Sequence, residues 1–388
     1  MKKKIAILGS TGSIGKSTLE VINMDRKNFQ VVLLTANNNY KKLIEQAKKF
    51  KAENVIIRNN NFYLRVKKSL NKTKTKVYHG NPSLKKILNK KVDYTISAIV
   101  GLAGLQPTID AIKTSKAVAL ANKESIICGW EILSSYVKRY NTQIIPVDSE
   151  HFSIMELTNN ISDDEVKEII ITASGGPFLK TPIKKLKKVK PKQAIKHPNW
   201  KMGKKISVDS ANLMNKVFEV LEASKIFNFA SHKYKILIHP QSYIHSIINF
   251  NNGLVKIISY NPDMKIPISN ILHGKKNNFL NNKKIDSKIL NNINLEEVNE
   301  SQFPAIKLIN KCLNLGPSTT IIVNASNEVL VDLYLKGKIE FLDIVKGINR
   351  ILRDKEFRKY ARRKASTLNA LKIIDNWARL KTVDMCVR

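Results

Sequence analysis

Cysteine is scarce in this chain: three residues, Cys128, Cys312 and Cys386, odd in number and far apart. They give neither a disulfide framework nor a CxxC metal knot, so a packed core must hold the fold and a reducing, cytoplasmic setting is expected. Long apolar runs are also lacking. None reaches the roughly 18 residues of a membrane-spanning helix. The apolar segment behind the basic start Met1-Lys2-Lys3-Lys4 stops at Leu8, before Gly-Ser-Thr-Gly, so no signal-peptide core follows. Aromatic residues are 7% of the chain and are not interleaved with the basic ones, as a stacking groove for single-stranded nucleic acid would require. Acidic residues are the last shortage, 31 against 67 Lys and Arg, leaving a formal net charge of +36. The lysines are spread over the whole chain, and their densest run, 180–192, contains Pro182 and Pro191 and reads as a solvated loop. The charge is read as compositional drift on solvent-facing positions, with no specific nucleic-acid partner and no membrane partner. A basic field would still steer a phosphorylated small molecule inward.

What the 388 residues do contain is a change of pattern near residue 150. Before it, short β-branched apolar runs at 4–8, 31–35, 54–57, 76–78, 94–99, 117–119 and 143–147 alternate with helical stretches such as 17–24 and 40–50. That is the signature of βαβ units around a parallel sheet covered on both faces. Residues 151–274 read as a second α/β domain, with strands expected at 169–172, 235–238, 244–250 and 255–260. A helix is expected over 211–223, capped by Asp209 or Ser210. The Asn- and Lys-rich stretch 275–284 opens a linker, 275–300, and from 301 to 388 the text turns helical. The fold expected is α/β: a Rossmann-like parallel sheet over 1–150, a second α/β catalytic domain, and a C-terminal helical domain.

The densest chemistry lies at Pro146-Val147-Asp148-Ser149-Glu150-His151. If 144–150 is extended, Asp148 and Glu150 share one face, where a divalent cation would relieve their repulsion. Hard oxygen donors favour Mg²⁺ or Mn²⁺ over Zn²⁺. Taken alone, the six residues fit a polar turn better. Gly9-Ser10-Thr11-Gly12-Ser13-Ile14-Gly15 follows the first strand and precedes a helix. Its spacing is GxxGxxG, but glycines there serve a dinucleotide pyrophosphate in the same way as in GxGxxG. The end of the second strand, Ala36-Asn37-Asn38-Asn39, has no carboxylate for a ribose 2′-hydroxyl, and Lys41 and Lys42 follow, which favours NADP over NAD.

Four further segments add to this. Ala121-Asn122-Lys123-Glu124-Ser125 puts a Lys at a strand's C-terminal end, near the crevice where α/β sheets bind ligands. Ser174-Gly175-Gly176-Pro177-Phe178 is either a phosphate nest or ordinary turn chemistry. His197-Pro198-Asn199-Trp200-Lys201-Met202-Gly203 holds a Trp outside regular structure, either a lid over substrate or a core plug. Ser210, Asn215, Lys216 and Glu219 fit one helix face able to grip a phosphate, or a solvated face with a salt bridge. His239 and His245 in His-Pro-Gln-Ser-Tyr-Ile-His are not assigned to zinc.

These blocks, in this order over roughly residues 4–265, resemble the 1-deoxy-D-xylulose 5-phosphate reductoisomerase family, and the helical C-terminus fits that family's third domain. The resemblance implies conversion of 1-deoxy-D-xylulose 5-phosphate to 2-C-methyl-D-erythritol 4-phosphate in a homodimer. It implies Asp148, Glu150 and Glu219 around one Mg²⁺ or Mn²⁺, and Lys123 and Ser149 on substrate oxygens, with Lys123, His197 and the three acids as the catalytic set. Ser174, Ser210, Asn215 and Lys216 would hold the phosphate, and His197 and Trp200, with Met202 beside them, would form the closing loop. Thr11, Gly12, Ser13, Ile14, Ala36, Asn37, Asn38, Asn122, Glu124 and Gly203 would touch NADPH. The chain departs from the family pattern at Asn37, where a basic residue is often found.

Overall fold

The computed structural model describes residues 1–200, 202–274 and 287–386. The expected linker stretch 275–284 lies outside them. The chain folds as two compact units. One comprises Met1–Ser125, Leu133–Phe152 and Met264–Lys283; the other comprises Ile126–Ile132, Ser153–Asp263 and Lys284–Arg388.

In the first unit, β1 (Lys3–Leu8), β2 (Phe29–Ala36), β3 (Asn54–Ile57), β4 (Lys76–His79), β5 (Val92–Ser97), β6 (Ser115–Leu120) and β7 (Gln143–Pro146) form one sheet. The order is β4-β3-β2-β1-β5-β6-β7 and every pairing is parallel. Strand order reverses between β1 and β5, the switch point where doubly wound sheets take their ligands. The central strands explain why this sheet forms: Ile5, Ala6, Ile7, Leu33, Leu34, Val55 and Ile57 are all wholly buried. Both sheet faces need cover, and near-continuous apolar runs are what such strands require.

Two sequence expectations change here. The segment 144–150 is not extended throughout: β7 ends at Pro146 and a helix, Ser149–Leu157, begins two residues after Val147. Asp148 therefore precedes the helix and Glu150 lies in its first turn, so the two do not share a strand face. An acid in a helix's first turn is stabilised by the helix dipole, which the alternation argument ignored. The fifth strand ends at Ser97, not 99, because Gly101, with φ of 76°, opens the next turn.

The second unit carries a mixed sheet of β8 (Val166–Ala173), β9 (Tyr234–Ile238), β10 (Ile244–Phe250), β11 (Val255–Ser259) and β12 (Glu296–Glu297), ordered β11-β10-β8-β9-β12. Only β8–β9 is parallel. Ile169, Ile171 and Ile248 on the sheet pack with Val220 and Ala223 on a helix, with Leu213 just before it, and with Phe303. Helices Leu308–Asn314, Thr319–Leu335, Asp343–Ile351 and Leu368–Cys386 follow in the same unit.

The single helix expected over 211–223 is two: Lys204–Ala211 and Met214–Ile226. Leu213 between them is left-handed, φ 62° and ψ 12°, and its side chain is buried in the core. Burial of an apolar anchor outweighs the roughly 1–2 kcal/mol of a left-handed residue, so apolar periodicity ran straight across the break. Asp209 and Ser210 accordingly end the first helix and do not cap the second. The lysine-rich 180–192 run, expected as a loop, contains the single turn Ile183–Leu186 and the start of another, Pro191–Ala194, pinned by buried Leu186 and Ala194.

Candidate active site

The glycine turn sits at the switch point, and its three glycines do different work. Gly9 has φ of 85°, and a Cβ there would stand 2.6 Å from the Ala98 carbonyl oxygen at the end of β5. A Cβ on Gly15 would meet Ser10 Cα at 2.5 Å and the Gly9 oxygen at 2.6 Å, so Gly15 lets helix Ser13–Met24 press onto the turn. Gly12 is exposed, and a Cβ there would meet only the Gly9 oxygen, at 3.4 Å. The space over Gly12, Ser13 and the helix N-terminus is thus open for an anion, which fits a dinucleotide pyrophosphate. Behind the turn, Ser10 Oγ bonds Gln46 Oε1 at 2.8 Å and Gln46 Nε2 donates to the Ser10 carbonyl at 2.9 Å. Sequence reading missed Gln46; a lone polar residue on the apolar face of helix Tyr40–Phe50 was the available signal.

After β2, Asn39 caps helix Tyr40–Phe50 through the Lys42 amide, and Asn38 Oδ1 accepts from Asn59 Nδ2 at 2.9 Å. Of the two expected cations, Lys42 is bound to Glu45 at 2.7 Å, while Lys41 is exposed.

At the ends of neighbouring strands β6 and β7 stand two helix N-termini. Asn122 caps helix Lys123–Tyr140 by accepting from the Ser125 amide at 2.7 Å, and its Nδ2 donates to the Gly101 and Ile99 carbonyls. A Cβ on Gly104 would strike that same Nδ2, so Gly104 is bare to admit the Asn122 side chain. Lys123 Nζ lies 2.8 Å from Asp148 Oδ2, with the Lys side chain 9% and the Asp side chain 24% exposed. Ser149 Oγ donates to Glu150 Oε2 at 2.6 Å, and Glu124 is buried in its helix's first turn. Lys123, Asp148, Ser149 and Glu150 therefore cluster at one edge of the sheet's C-terminal side.

The second unit brings together the expected phosphate residues. Ser174 follows β8, and Gly175 and Gly176, both at positive φ, turn the chain so that Gly176 presses against the Ser210 and Ala211 backbone. His197 Nδ1 accepts from the Asn199 and Trp200 amides at 3.1 and 3.0 Å, so its proton sits on Nε2. That Nε2–H donates to Ser174 Oγ at 2.9 Å, and the Gly176 amide donates to the same oxygen at 3.1 Å. Ser174 keeps its own O–H as a donor. Burial, and then the charge of Lys216, push the His197 pKa down from 6.5 to about 4, so the ring is neutral at physiological pH.

Ser210 ends one helix while Asn215 and Lys216 open the next, all three buried across the left-handed break. Glu219, 1% exposed, accepts from Asn215 Nδ2 and from Lys216 Nζ, both at 2.5 Å. The i,i+3 and i,i+4 spacing held as expected, in a buried setting and not on a solvated face. The segment is tied down at Asn199, whose Nδ2 donates to the Pro240 carbonyl and Ser242 Oγ at 2.7 and 2.8 Å. Trp200 stands edge-on to His245, centroids 6.1 Å apart, and is neither exposed nor fully buried, so it is not a core plug. Gly203 precedes helix Lys204–Ala211 with open space around it. Both His239 nitrogens are committed to backbone: Nε2 accepts from the Tyr243 and Ile244 amides, and Nδ1 bonds the Asn294 carbonyl.

A glycine turn that opens a helix at a switch point suits a pyrophosphate, and the second unit gathers buried Ser, Asn and Lys side chains of the kind that suit a phosphate. The class so defined is the dinucleotide-dependent oxidoreductases of phosphorylated metabolites. Comparison with known families narrows it: the 1-deoxy-D-xylulose 5-phosphate reductoisomerase model matches residues 5–129, its C-terminal domain model residues 144–227, and a further DXP reductoisomerase C-terminal domain model residues 260–381. The chain belongs to the 1-deoxy-D-xylulose 5-phosphate reductoisomerase family. It is 46% identical to the reductoisomerase of Pelagibacter ubique (strain HTCC1062), over 99% of this chain and 100% of that one. To that of Wolbachia pipientis wMel it is 41% identical, over 89% of each. Among solved structures, the Zymomonas mobilis reductoisomerase with NADPH superposes with a TM-score of 0.90 at 35% identity, covering 100% of this chain and 99% of that one. A reductoisomerase solved with NADPH, fosmidomycin and magnesium superposes at 0.92 and 30% identity, covering 99% and 98%.

Proposed function

We propose that this chain converts 1-deoxy-D-xylulose 5-phosphate to 2-C-methyl-D-erythritol 4-phosphate, with NADPH and Mg²⁺ or Mn²⁺, in the non-mevalonate synthesis of isoprenoid precursors. The observation that carries the reading is the match to reductoisomerases along essentially the whole chain, at 46% identity in one relative. When bound, the divalent cation supplies Lewis-acid polarisation of the substrate carbonyl and NADPH supplies the hydride for the rearranged aldehyde.

The residues are given these roles. Asp148, Glu150 and Glu219 hold the cation; all three are hard-oxygen donors, and Asp148 already faces a cation in the Lys123 ammonium. Lys123 and Ser149 orient the reacting oxygens. Ser174, Ser210, Asn215 and Lys216 grip the phosphate, whose binding energy orients the carbons that rearrange. His197 holds Ser174 in donor orientation and, with Trp200 and Met202, closes over substrate to exclude water. Thr11, Gly12, Ser13, Ile14, Ala36, Asn37, Asn38, Asn122, Glu124 and Gly203 receive NADPH. The working division proposed is 1–150 for cofactor, 151–274 for metal, phosphate and lid, 275–300 as linker and 301–388 as the helical end.

A homodimer is part of the proposal. Its support is the sheet edge β11, where Val255 and Ile257 are 56 and 50% exposed, with Leu254 just before the strand 60% exposed, an aggregation liability unless covered. A cytoplasmic location is proposed on the scarcity of cysteine, and no described helix is long and apolar enough to cross a membrane.

The test is loss of NADPH absorbance with 1-deoxy-D-xylulose 5-phosphate, with and without Mg²⁺ or Mn²⁺. Metal-dependent oxidation is expected. A folded protein that binds NADPH but oxidises none of it with either metal supplied would refute the assignment.

A further inference from the structure

A doubly wound sheet reads the adenosine ribose at the end of its second strand: a carboxylate there takes the 2′-hydroxyl of NAD, and an Arg nearby takes the 2′-phosphate of NADP. Here that strand end, Ala36-Asn37-Asn38-Asn39, offers neither. The required positive charge must come from elsewhere in the first unit. Lys42 is held by Glu45 at 2.7 Å. The Arg65 guanidinium lies over the stacked rings of Tyr40 and Phe62, 5.7 and 5.9 Å from their centroids. Lys41 is a solvent-exposed point charge on a flexible stem.

Arg58 stands differently. It is the first residue after β3, one step beyond the last register pair, Ala36 with Ile57, and so lies beside Asn37 across a strand spacing of about 4.8 Å. Its amide donates to the Ala36 carbonyl at 2.9 Å and the next amide, Asn59, to the Asn37 carbonyl at 3.2 Å. Asn59 Nδ2 adds a bond to Asn38 Oδ1 at 2.9 Å. The backbone under Arg58 is thus locked to the loop where a 2′-phosphate would sit. Among the described residues its guanidinium has no hydrogen bond or ion pair, and its side chain is partly buried.

We infer that Arg58, reaching from the neighbouring strand, reads the 2′-phosphate of NADPH in place of a residue on the β2 loop. A guanidinium presents a fork that matches phosphate oxygens two at a time, which compensates for the uncharged Asn37. The inference rests on NADPH being the cofactor, as proposed above.

Direct binding tests it, without turnover. Full-length wild type, Arg58→Gln, Arg58→Lys and Lys41→Gln are titrated with NADPH and with NADH by nicotinamide fluorescence. Expected is an NADPH Kd raised about 10- to 100-fold in Arg58→Gln, as loss of a charge-assisted contact implies, with partial recovery in Arg58→Lys. NADH affinity should stay within about 3-fold, since that nucleotide lacks the group read. NADPH binding by Arg58→Gln at wild-type strength would overturn the inference, as would equal weakening of both nucleotides or transfer of the loss to Lys41→Gln. A wild type that binds neither nucleotide would instead sink the NADPH reading, and this inference with it.

Discussion

Gly12 and Gly15 are three residues apart in one turn, yet alanine at each should fail in opposite ways. At Gly15 the added Cβ would lie 2.5 and 2.6 Å from backbone atoms of Ser10 and Gly9, which cannot yield as a side-chain end would. Overpacking of that kind costs about 1–3 kcal/mol, so Gly15→Ala should lower the melting temperature by several degrees. At Gly12 the φ of −74° suits alanine and the nearest atom is 3.4 Å away, so Gly12→Ala should melt within about a degree of wild type. The methyl group would occupy the approach to the pyrophosphate. NADPH at 100 times its wild-type Kd stabilises the native state by about 2.7 kcal/mol. If the methyl weakens binding about 30-fold, the same concentration gives about 0.9 kcal/mol, and most of the thermal shift disappears. The assay is a pair of thermal melts for each variant, with and without NADPH. An undiminished NADPH shift in Gly12→Ala, or a wild-type melt of Gly15→Ala, would refute the division of labour read from the turn.

The His197 ring gives a pH prediction. Its folded pKa, about 4, lies below the unfolded value of 6.5, so the unfolded chain binds the extra proton between those values. Stability should decline as pH falls through that window, by about 1 kcal/mol after discounting the linkage limit for the ring's partial exposure. His197→Gln should flatten the limb in denaturant titrations between neutral and acidic pH; an unchanged slope in the variant would remove His197 as its source. Glu219→Gln should cut metal-dependent turnover at least about 100-fold while the NADPH Kd holds, and retained turnover would remove Glu219 from the metal set. Ile257→Lys on the β11 edge should yield a monomer in light scattering; a dimer of unchanged mass would place the interface elsewhere.

The parallel sheet was legible because its strands are apolar almost without interruption: strand Asn54–Ile57 falls where its apolar run places it, and helix Tyr40–Phe50 where the amphipathic stretch between strands does. The proposed site residues were picked out by their order along the chain: singly each block fits a turn or a salt-bridged face as well, and only together do they resemble one family. What escaped was anything set by three-dimensional neighbours. Nothing local marks Leu213 as left-handed; only its burial requires it. The Ser149 helix start was hidden because Asp-Ser-Glu reads equally as a turn and as a first helical turn. Gly104 looked like any small residue until Asn122 was seen to fill its Cβ position. Arg58 was invisible because its relevance comes from the adjacent strand, 21 positions from Asn37 along the chain.

The three hydrogen bonds around His197 make residues 197–200 and the Ser174 hydroxyl a single thermodynamic element. The Asn199 and Trp200 amides fix which ring nitrogen carries the proton, and that proton fixes which way Ser174 can donate. Opening the segment removes two amides from Nδ1 and releases the tautomer, and Ser174 then loses its reason to point a proton outward. If Ser174 grips phosphate as proposed, phosphate affinity and segment order are reciprocally coupled: whatever free energy the segment gains when phosphate binds, phosphate gains when the segment is ordered. Inorganic phosphate alone, with no reacting carbons attached, should slow hydrogen exchange at the amides of Asn199 and Trp200.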